Sequence, residues 1–171
     1  MTLTLRLLGP LRLERDGESV DLPPSKKTRA LLGYLATTGR DHRRQQLSEL
    51  LWDVADDPRG GLRWCLSRLR ALLDEEGHTR IVANRETVRL DLSEVEVDLH
   101  RARAAKPGLQ TLDTTTLIEL AELFHDGDLL EGLELPDFDD FRSWLTAARG
   151  DCRKLRSAVL REATARLHDC L

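Results

Sequence analysis

The sequence has few of the features that mark secreted, membrane and disulfide-stabilised proteins. Its 171 residues include only three cysteines, Cys65, Cys152 and Cys170. Their odd number and the absence of CxxC spacing favour reduced thiols over a disulfide scaffold. The apolar runs are too short for a membrane span, and Arg6 and Pro10 interrupt the N-terminal leucines, so no secretory signal is visible. We therefore expect a cytoplasmic protein without a membrane segment.

Patterns typical of enzymes and metal sites are also missing. The five histidines are dispersed, and only the run His168–Cys170 places candidate ligands together. Residues at i and i+2 on a helix point in nearly opposite directions, so this run cannot share a metal. The carboxylates of Asp137, Asp139 and Asp140 lack calcium-loop spacing and fit a helix N terminus better. No glycine-rich phosphate loop, nucleophile elbow or HExxH motif occurs. We expect no enzymatic activity, catalytic residue, metal or cofactor.

Charge is abundant but unevenly distributed. The net charge is −4 overall, with +2 on residues 1–92 and −6 on residues 93–171. This difference predicts two domains with different partners, divided between residues 92 and 93. Only four of the 26 basic residues are lysines. The excess of arginine suits bidentate recognition of phosphates and bases, or reflects a GC-rich genome, and the sequence favours neither explanation.

Hydrophobic periodicity in residues 1–92 predicts a small sheet followed by three helices and a hairpin. Leucines alternate with period 2 before Pro23, which indicates three or four short antiparallel strands. Ser25 and Asp57, the latter preceded by a further aspartate and followed by proline, are typical helix caps. The predicted helices and hairpin strands are Ser25–Gly39, Arg43–Trp52, Pro58–Asp74, Thr79–Ala83 and Thr87–Leu90. This order is that of a winged helix-turn-helix, in which the third helix enters the major groove of DNA.

The third predicted helix has the amphipathic pattern that such a role requires. Its apolar side carries leucines and Cys65, and the opposite side carries Arg63, Trp64, Ser67 and Arg68. Arginine reads guanine edges, apolar groups contact thymine methyls, and small residues allow close approach. These four residues are the predicted base-contacting residues. The alternative is an ordinary surface helix on which Trp64 packs under a neighbouring loop.

Basic residues elsewhere in residues 1–92 are candidates for the DNA backbone. Such contacts position a protein on DNA without reading its sequence. Arg29 and Arg70 could instead pair with nearby acids. The predicted phosphate-contacting residues are Lys26, Lys27, Arg29, Arg43, Arg44, Arg59, Arg70, Arg85, Thr87 and Arg89.

Residues beyond Asp98 read as helical throughout. Predicted helices cover Asp98–Ala105, Thr115–His125 and a long stretch from about Asp137 to the C terminus. In the last, apolar residues recur every three or four positions from Phe141 to Val159, which is typical of a seam for helix packing. We expect this seam to need a partner surface.

Five short segments resemble a known family of regulators. The first three are Leu7–Leu11 (LLGPL), Leu47–Trp52 (LSELLW) and Leu66–Arg70 (LSRLR), and they resemble the OmpR/PhoB-type winged helix. More narrowly, they resemble the version in the antibiotic regulatory protein (SARP) family of transcriptional activators. Gly127–Leu133 (GDLLEGL) and Phe138–Leu145 (FDDFRSWL) resemble the bacterial transcriptional activator domain that follows it.

The resemblance implies both a fold and a function. The fold is α+β, with an OmpR-type winged-helix DNA-binding domain in residues 1–92 and an all-α, tetratricopeptide-like module in residues 93–171. That module usually continues for several more helices, so these residues would form only part of it. Implied partners are direct-repeat promoter DNA, RNA polymerase and, weakly or only on DNA, a second copy. The alternative is the N-terminal protein-interaction module of a larger signalling regulator, with a winged helix that does not read DNA.

Two local departures from the family pattern lead to specific expectations. The serine or threonine that usually caps the second helix is replaced by Arg43, which leaves Asp41 as the substitute cap. The hairpin lacks the usual glycine and instead carries Asn84-Arg85-Glu86 before Thr87.

Overall fold

The computed structural model describes residues 2–53, 55 and 57–169, which form a mixed fold of helices and sheets. The strands are β1 (Leu3–Arg6), β2 (Gly9–Pro10), β3 (Arg12–Arg15), β4 (Glu18–Val20), β5 (His42–Arg43), β6 (Ile81–Ala83), β7 (Thr87–Leu90), β8 (Val95–Val97) and β9 (Leu129–Glu131). The α-helices are α1 (Lys26–Thr38), α2 (Arg44–Leu51), α3 (Pro58–Leu73), α4 (Asp98–Ala105), α5 (Thr114–Glu122) and α6 (Asp139–Asp169), with a 3₁₀ helix at Lys106–Thr111.

The alternating leucines of the N-terminal segment form a sheet as predicted, but its fourth strand comes from elsewhere. The strand order is β4-β3-β1-β8. Strands β1 and β3 are antiparallel, with Leu5 opposite Leu13, whereas β8 lies parallel to β1, with Val97 opposite Leu5. All three side chains are buried. The predicted antiparallel sheet is therefore completed by a parallel strand from beyond residue 92.

The local signals for the first and third helices are confirmed. Ser25 accepts a hydrogen bond from the Thr28 amide at 3.3 Å, and Gly39 ends α1 in the left-handed conformation with φ +59°. Asp57 caps α3 by accepting from the Gly60 amide at 3.2 Å. The preceding Asp56, part of the same predicted signal, lies outside the described residues, as does Cys170.

The predicted cap of the second helix is wrong. Asp41 does not bond to the first turn of α2. It lies instead 3.6 Å from the guanidinium of Arg89. The chain enters α2 directly from β5, which pairs with β7, so the Arg44 amide reaches the Glu86 carbonyl of the hairpin turn at 2.8 Å. A tertiary backbone contact thus replaces the side-chain cap that the sequence pattern requires.

The segment beyond residue 92 is not entirely helical, which corrects the predicted all-α module. Helix α4 has the predicted bounds, but β9 is a strand that lies parallel to β2. The Gly9 amide donates to the Asp128 carbonyl at 3.0 Å, and the Leu130 amide donates to the Leu7 carbonyl at 2.8 Å. Leu129 and Leu130 are both fully buried. Adjacent buried leucines fit neither a helical nor an alternating pattern, so this short strand was not visible in the sequence.

Strand β9 is held against α1 by one side chain and against α6 by another. Leu130 has a left-handed backbone with φ +51°, and its side chain fills the space above Gly33 of α1, where an added Cβ would lie 2.9 Å from Leu130 Cδ1. The Arg149 guanidinium donates to the carbonyl oxygens of Leu129 and Leu130 at 2.8 and 3.0 Å. A left-handed backbone at a leucine costs conformational free energy, and these contacts hold Leu130 in that conformation.

The apolar seam of the last helix is confirmed, but its expected need for a partner is wrong. Phe141, Leu145, Leu155 and Val159 are at most 4% exposed within the single chain. Helix α6 packs against α5 and the 3₁₀ helix, which fold back onto it. The seam is therefore covered by the chain itself and gives no basis for self-association.

One buried carboxylate joins the two halves of the chain. Asp98, 5% exposed at the start of α4, accepts hydrogen bonds from the amides of Leu7 (2.9 and 3.0 Å), Leu8 (3.1 Å) and Leu99 (2.7 Å). Burial raises the pKa of this carboxyl, and the three N–H donors oppose that rise. The predicted domain boundary after residue 92 thus lies in a continuous core, and the division into two domains with different partners stays a prediction.

Replacing Asp98 by alanine should lower the free energy of unfolding by about 3 kcal/mol, because three N–H groups lose their acceptor in a buried site. Asp98→Asn keeps one acceptor oxygen and should cost less. Urea unfolding at neutral pH measures both values. Equal stability of Asp98→Ala and the unchanged protein would show that the carboxylate does not hold the halves together.

Candidate nucleic-acid interface

The outer face of α3 has the composition that its pattern predicts. Arg63, Trp64, Ser67 and Arg68 are all exposed, and 48% of the Trp64 surface is accessible to solvent. The Arg68 guanidinium lies over the Trp64 ring, 5.1 Å from its centroid. The opposite face of the helix packs its leucines and Cys65 into the core. The alternative explanation, that Trp64 packs under a neighbouring loop, is therefore wrong.

A groove of about 1090 Å³ opens beside this face, between α2, the first turn of α3 and the β6–β7 hairpin. It combines predicted site residues from three separate parts of the chain with the acidic side chains of Glu49, Asp57 and Glu86. The predicted residues that line it are Arg43, Arg44, Arg59, Arg63, Arg85 and Thr87. Five arginines against three acids make the groove positive, which suits an anionic ligand.

The hairpin turn at the rim of the groove is ordered by Asn84. Its side-chain oxygen accepts from the amides of Glu86 at 2.8 Å and Thr87 at 2.7 Å. An asparagine side chain thus orders the turn in which the expected glycine is missing. Arg44 donates from Nε to the Asn84 carbonyl at 2.6 Å, so it links α2 to the hairpin. Arg85 is exposed at the tip.

The remaining predicted phosphate contacts lie around the groove rather than in it. Lys26 is exposed at the start of α1, Arg29 and Arg70 are half-buried, and Arg89 is exposed beside Asp41. Lys27 is half-buried, with its ammonium over two aromatic rings. The groove thus gathers five of the ten predicted phosphate contacts and one of the four predicted base contacts, Arg63, while the other five phosphate contacts lie outside it.

In the part of the chain that the structure describes, no three histidine, cysteine, aspartate or glutamate side chains lie close enough together to ligate a metal ion. None of the helices in residues 2–53, 55 and 57–169 combines the length and apolar character needed to cross a bilayer.

A buried histidine lies behind the groove and was not singled out by the sequence. His42 pairs with Val88 of the hairpin and is 2% exposed. The Thr38 hydroxyl lies 2.9 Å from the Tyr34 carbonyl oxygen and 2.7 Å from His42 Nε2, so it hydrogen-bonds the buried imidazole. Burial, helped by the nearby Arg40 charge and opposed by Asp41, lowers the pKa of His42 to about 4. The imidazole is therefore neutral at physiological pH.

Acidification should destabilise the fold through His42. Between pH 6.5 and about 4, His42 is protonated in the unfolded chain but stays neutral in the folded chain. The free energy of unfolding therefore decreases as the pH falls through this range. The largest loss from this residue is about 3 kcal/mol. Urea unfolding across this range, compared with His42→Gln, isolates the effect. Identical pH profiles for the two proteins would mean that His42 titrates normally in the fold.

Comparison with known proteins gives a structural similarity that extends over nearly the whole chain. A scan against models of protein families found no match, and a search of curated proteins found none either. Among solved structures, Mycobacterium tuberculosis EmbR in complex with a low-affinity phosphopeptide is similar, with a TM-score of 0.69 and 25% sequence identity. The match covers 96% of this chain and 46% of that one, so the chain spans about half the length of EmbR. Nearly the whole chain thus has an EmbR-like fold, which supports at the level of fold the resemblance drawn from the sequence motifs.

Proposed function

We propose that the protein is a sequence-specific DNA-binding transcriptional regulator of the winged-helix type and not an enzyme. Under this proposal α3 is the recognition helix and the β6–β7 hairpin is the wing. The observation that carries the proposal is the arginine-lined groove, which is continuous with the exposed Arg63 and Arg68 face of α3. The EmbR-like fold supports a regulatory role.

The geometry suggests which side chains contact bases and which contact phosphates. Arg63, Trp64, Ser67 and Arg68 face base edges in the major groove, where arginine discriminates guanine. Arg43, Arg59 and Arg85 lie on three different elements around the groove of the protein. They contact phosphates of the DNA on both sides of α3. Thr87, Lys26 and Arg89 extend this backbone contact.

The second half of the chain is proposed to act in activation. Its acidic character suits contacts with another protein rather than with DNA. The family resemblance suggests an activator with a tetratricopeptide-like module that contacts RNA polymerase. It also suggests pairing of two copies on direct repeats about one helical turn apart, ~10–10.5 base pairs. Gel shifts on duplexes with half-sites separated by whole and half turns measure this pairing.

A protein-interaction module is the second candidate. The acids Glu49, Asp57 and Glu86 in the groove and a net charge of only +2 on residues 1–92 favour it, since DNA-binding domains are commonly more basic. EmbR was solved with a phosphopeptide, which makes a protein ligand a reasonable alternative. Salt dependence separates the two candidates.

The DNA proposal predicts a steep salt dependence. Duplexes selected from a random pool by the full chain serve as the probe, with affinity measured over a series of salt concentrations. Arg43→Ala and Arg85→Ala should each reduce the slope of log affinity against log salt by ~0.9 without changing sequence preference. Arg161→Ala, on the distant part of α6, is the matched control. A slope near zero for the intact protein would exclude DNA binding of this kind.

Arg68 tests the assignment of the recognition helix. Arg68→Ala should cost ~1–3 kcal/mol at a single base position, because a bidentate arginine–guanine pair is lost. Competition between the selected duplex and its single-base variants measures this. The variant should lose discrimination at one position and keep it at the others. Unchanged preference at every position would show that α3 does not read the sequence through Arg68.

A further inference from the structure

Lys27 connects the two halves of the chain through aromatic rings. Its ammonium nitrogen lies 4.4 Å from the centroid of Phe138 and 5.7 Å from that of Trp52. Phe138 belongs to the segment that leads into α6, and Trp52 ends α2. A cation at these distances over a ring face is attracted by the ring quadrupole, more strongly where water is partly excluded. Lys27 is half-buried, so its contact with Phe138 is such a case.

The Trp52 ring in turn lies directly on the first turn of α3. A Cβ added at Gly61 would lie 2.8 Å from indole Cε2 and 2.9 Å from Cδ1 of Trp52, closer than side chains approach. Trp52 is 8% exposed. The Ser48 hydroxyl adds a polar contact at 3.5 Å to the Pro58 carbonyl of the same turn. The position of the indole ring therefore fixes how close the start of α3 lies to α2.

We propose that Phe138, Lys27 and Trp52 form a positioning relay, through which the C-terminal half of the chain sets the placement of the first turn of α3. Because the relay would position the proposed recognition helix, this inference rests on the proposed function. Lys27 is then a positioning residue, not a phosphate contact. Its neighbour Lys26 is exposed on the same helical turn and remains available to a phosphate.

The geometry also explains why a lysine, and not an apolar residue, occupies this place. A neutral side chain of the same length would fill the space between the rings but would lose the attraction of the positive charge to the ring quadrupoles. An arginine would keep the attraction. Lys27→Arg and Phe138→Tyr should therefore preserve the relay, whereas Lys27→Met and Phe138→Leu should break it while leaving the volume nearly unchanged.

One arm of the experiment needs no DNA. Amide NMR spectra of the full chain follow the Trp52 indole N–H, assigned with Trp52→Phe, and hydrogen exchange at the Gly61 amide. Lys27→Met and Phe138→Leu should shift the indole signal and speed exchange at Gly61, while Lys27→Arg, Phe138→Tyr and the control Lys26→Met leave both unchanged. Unchanged signals in Lys27→Met and Phe138→Leu would overturn the relay.

The second arm uses the selected duplex and a scrambled duplex of the same length. Breaking the relay should reduce the preference for the selected duplex about fivefold, with the salt slope intact. Lys26→Met should shallow the slope and keep the preference. A shallower slope in Lys27→Met together with unchanged preference would overturn the relay and make Lys27 a phosphate contact. Failure of the intact protein to bind any duplex would reject the proposed function, and the NMR arm would still decide whether the relay exists.

Discussion

The structure depends on one buried carboxylate. Asp98 accepts hydrogen bonds from amides just after β1 and at the start of α4, so one side chain bonds to both halves of the chain. Buried backbone N–H groups need acceptors, and the Asp98 carboxylate supplies them for Leu7, Leu8 and Leu99. The parallel strand β8, the β2–β9 pair and the packing of Leu130 above Gly33 also join the two halves. Without this junction each half would expose apolar surface that the other covers.

The candidate site is assembled from several elements rather than from one. Arg43 and Arg44 come from the junction of β5 with α2, Arg59 and Arg63 from α3, and Arg85 from the hairpin. Their relative positions depend on the hairpin lying beside β5 and on α2 lying against α3. Helix α6 also packs against α2, so the acidic half of the chain supports the basic surface from behind.

Much of the fold could be predicted because its signals are local. The caps Ser25, Gly39 and Asp57, and the two faces of α3, act through neighbouring residues, and the structure agrees with each. The bounds of α4 follow in the same way. The prediction of exposed Arg63, Trp64, Ser67 and Arg68 succeeded because helical periodicity alone determines which side faces the core.

What the sequence could not show depends on contacts between distant residues. Strand β9 has three residues, and its register is determined by Gly9, more than a hundred residues earlier. Asp41 has the right chemistry for a cap, but the Glu86 carbonyl takes that place because β5 pairs with β7. Lys27 carries the same charge as Lys26, and only the positions of Trp52 and Phe138 distinguish the two.

The hairpin turn has a consequence for the thermodynamics of binding. Asn84 holds the turn through two amides, and Arg44 fastens it to α2 through both its side chain and its own amide. A tip restrained in this way has already lost its conformational entropy when the protein folds. Docking of a rigid ligand against Arg85 would then need little ordering of the backbone, and the groove would favour partners whose charges match its existing spacing.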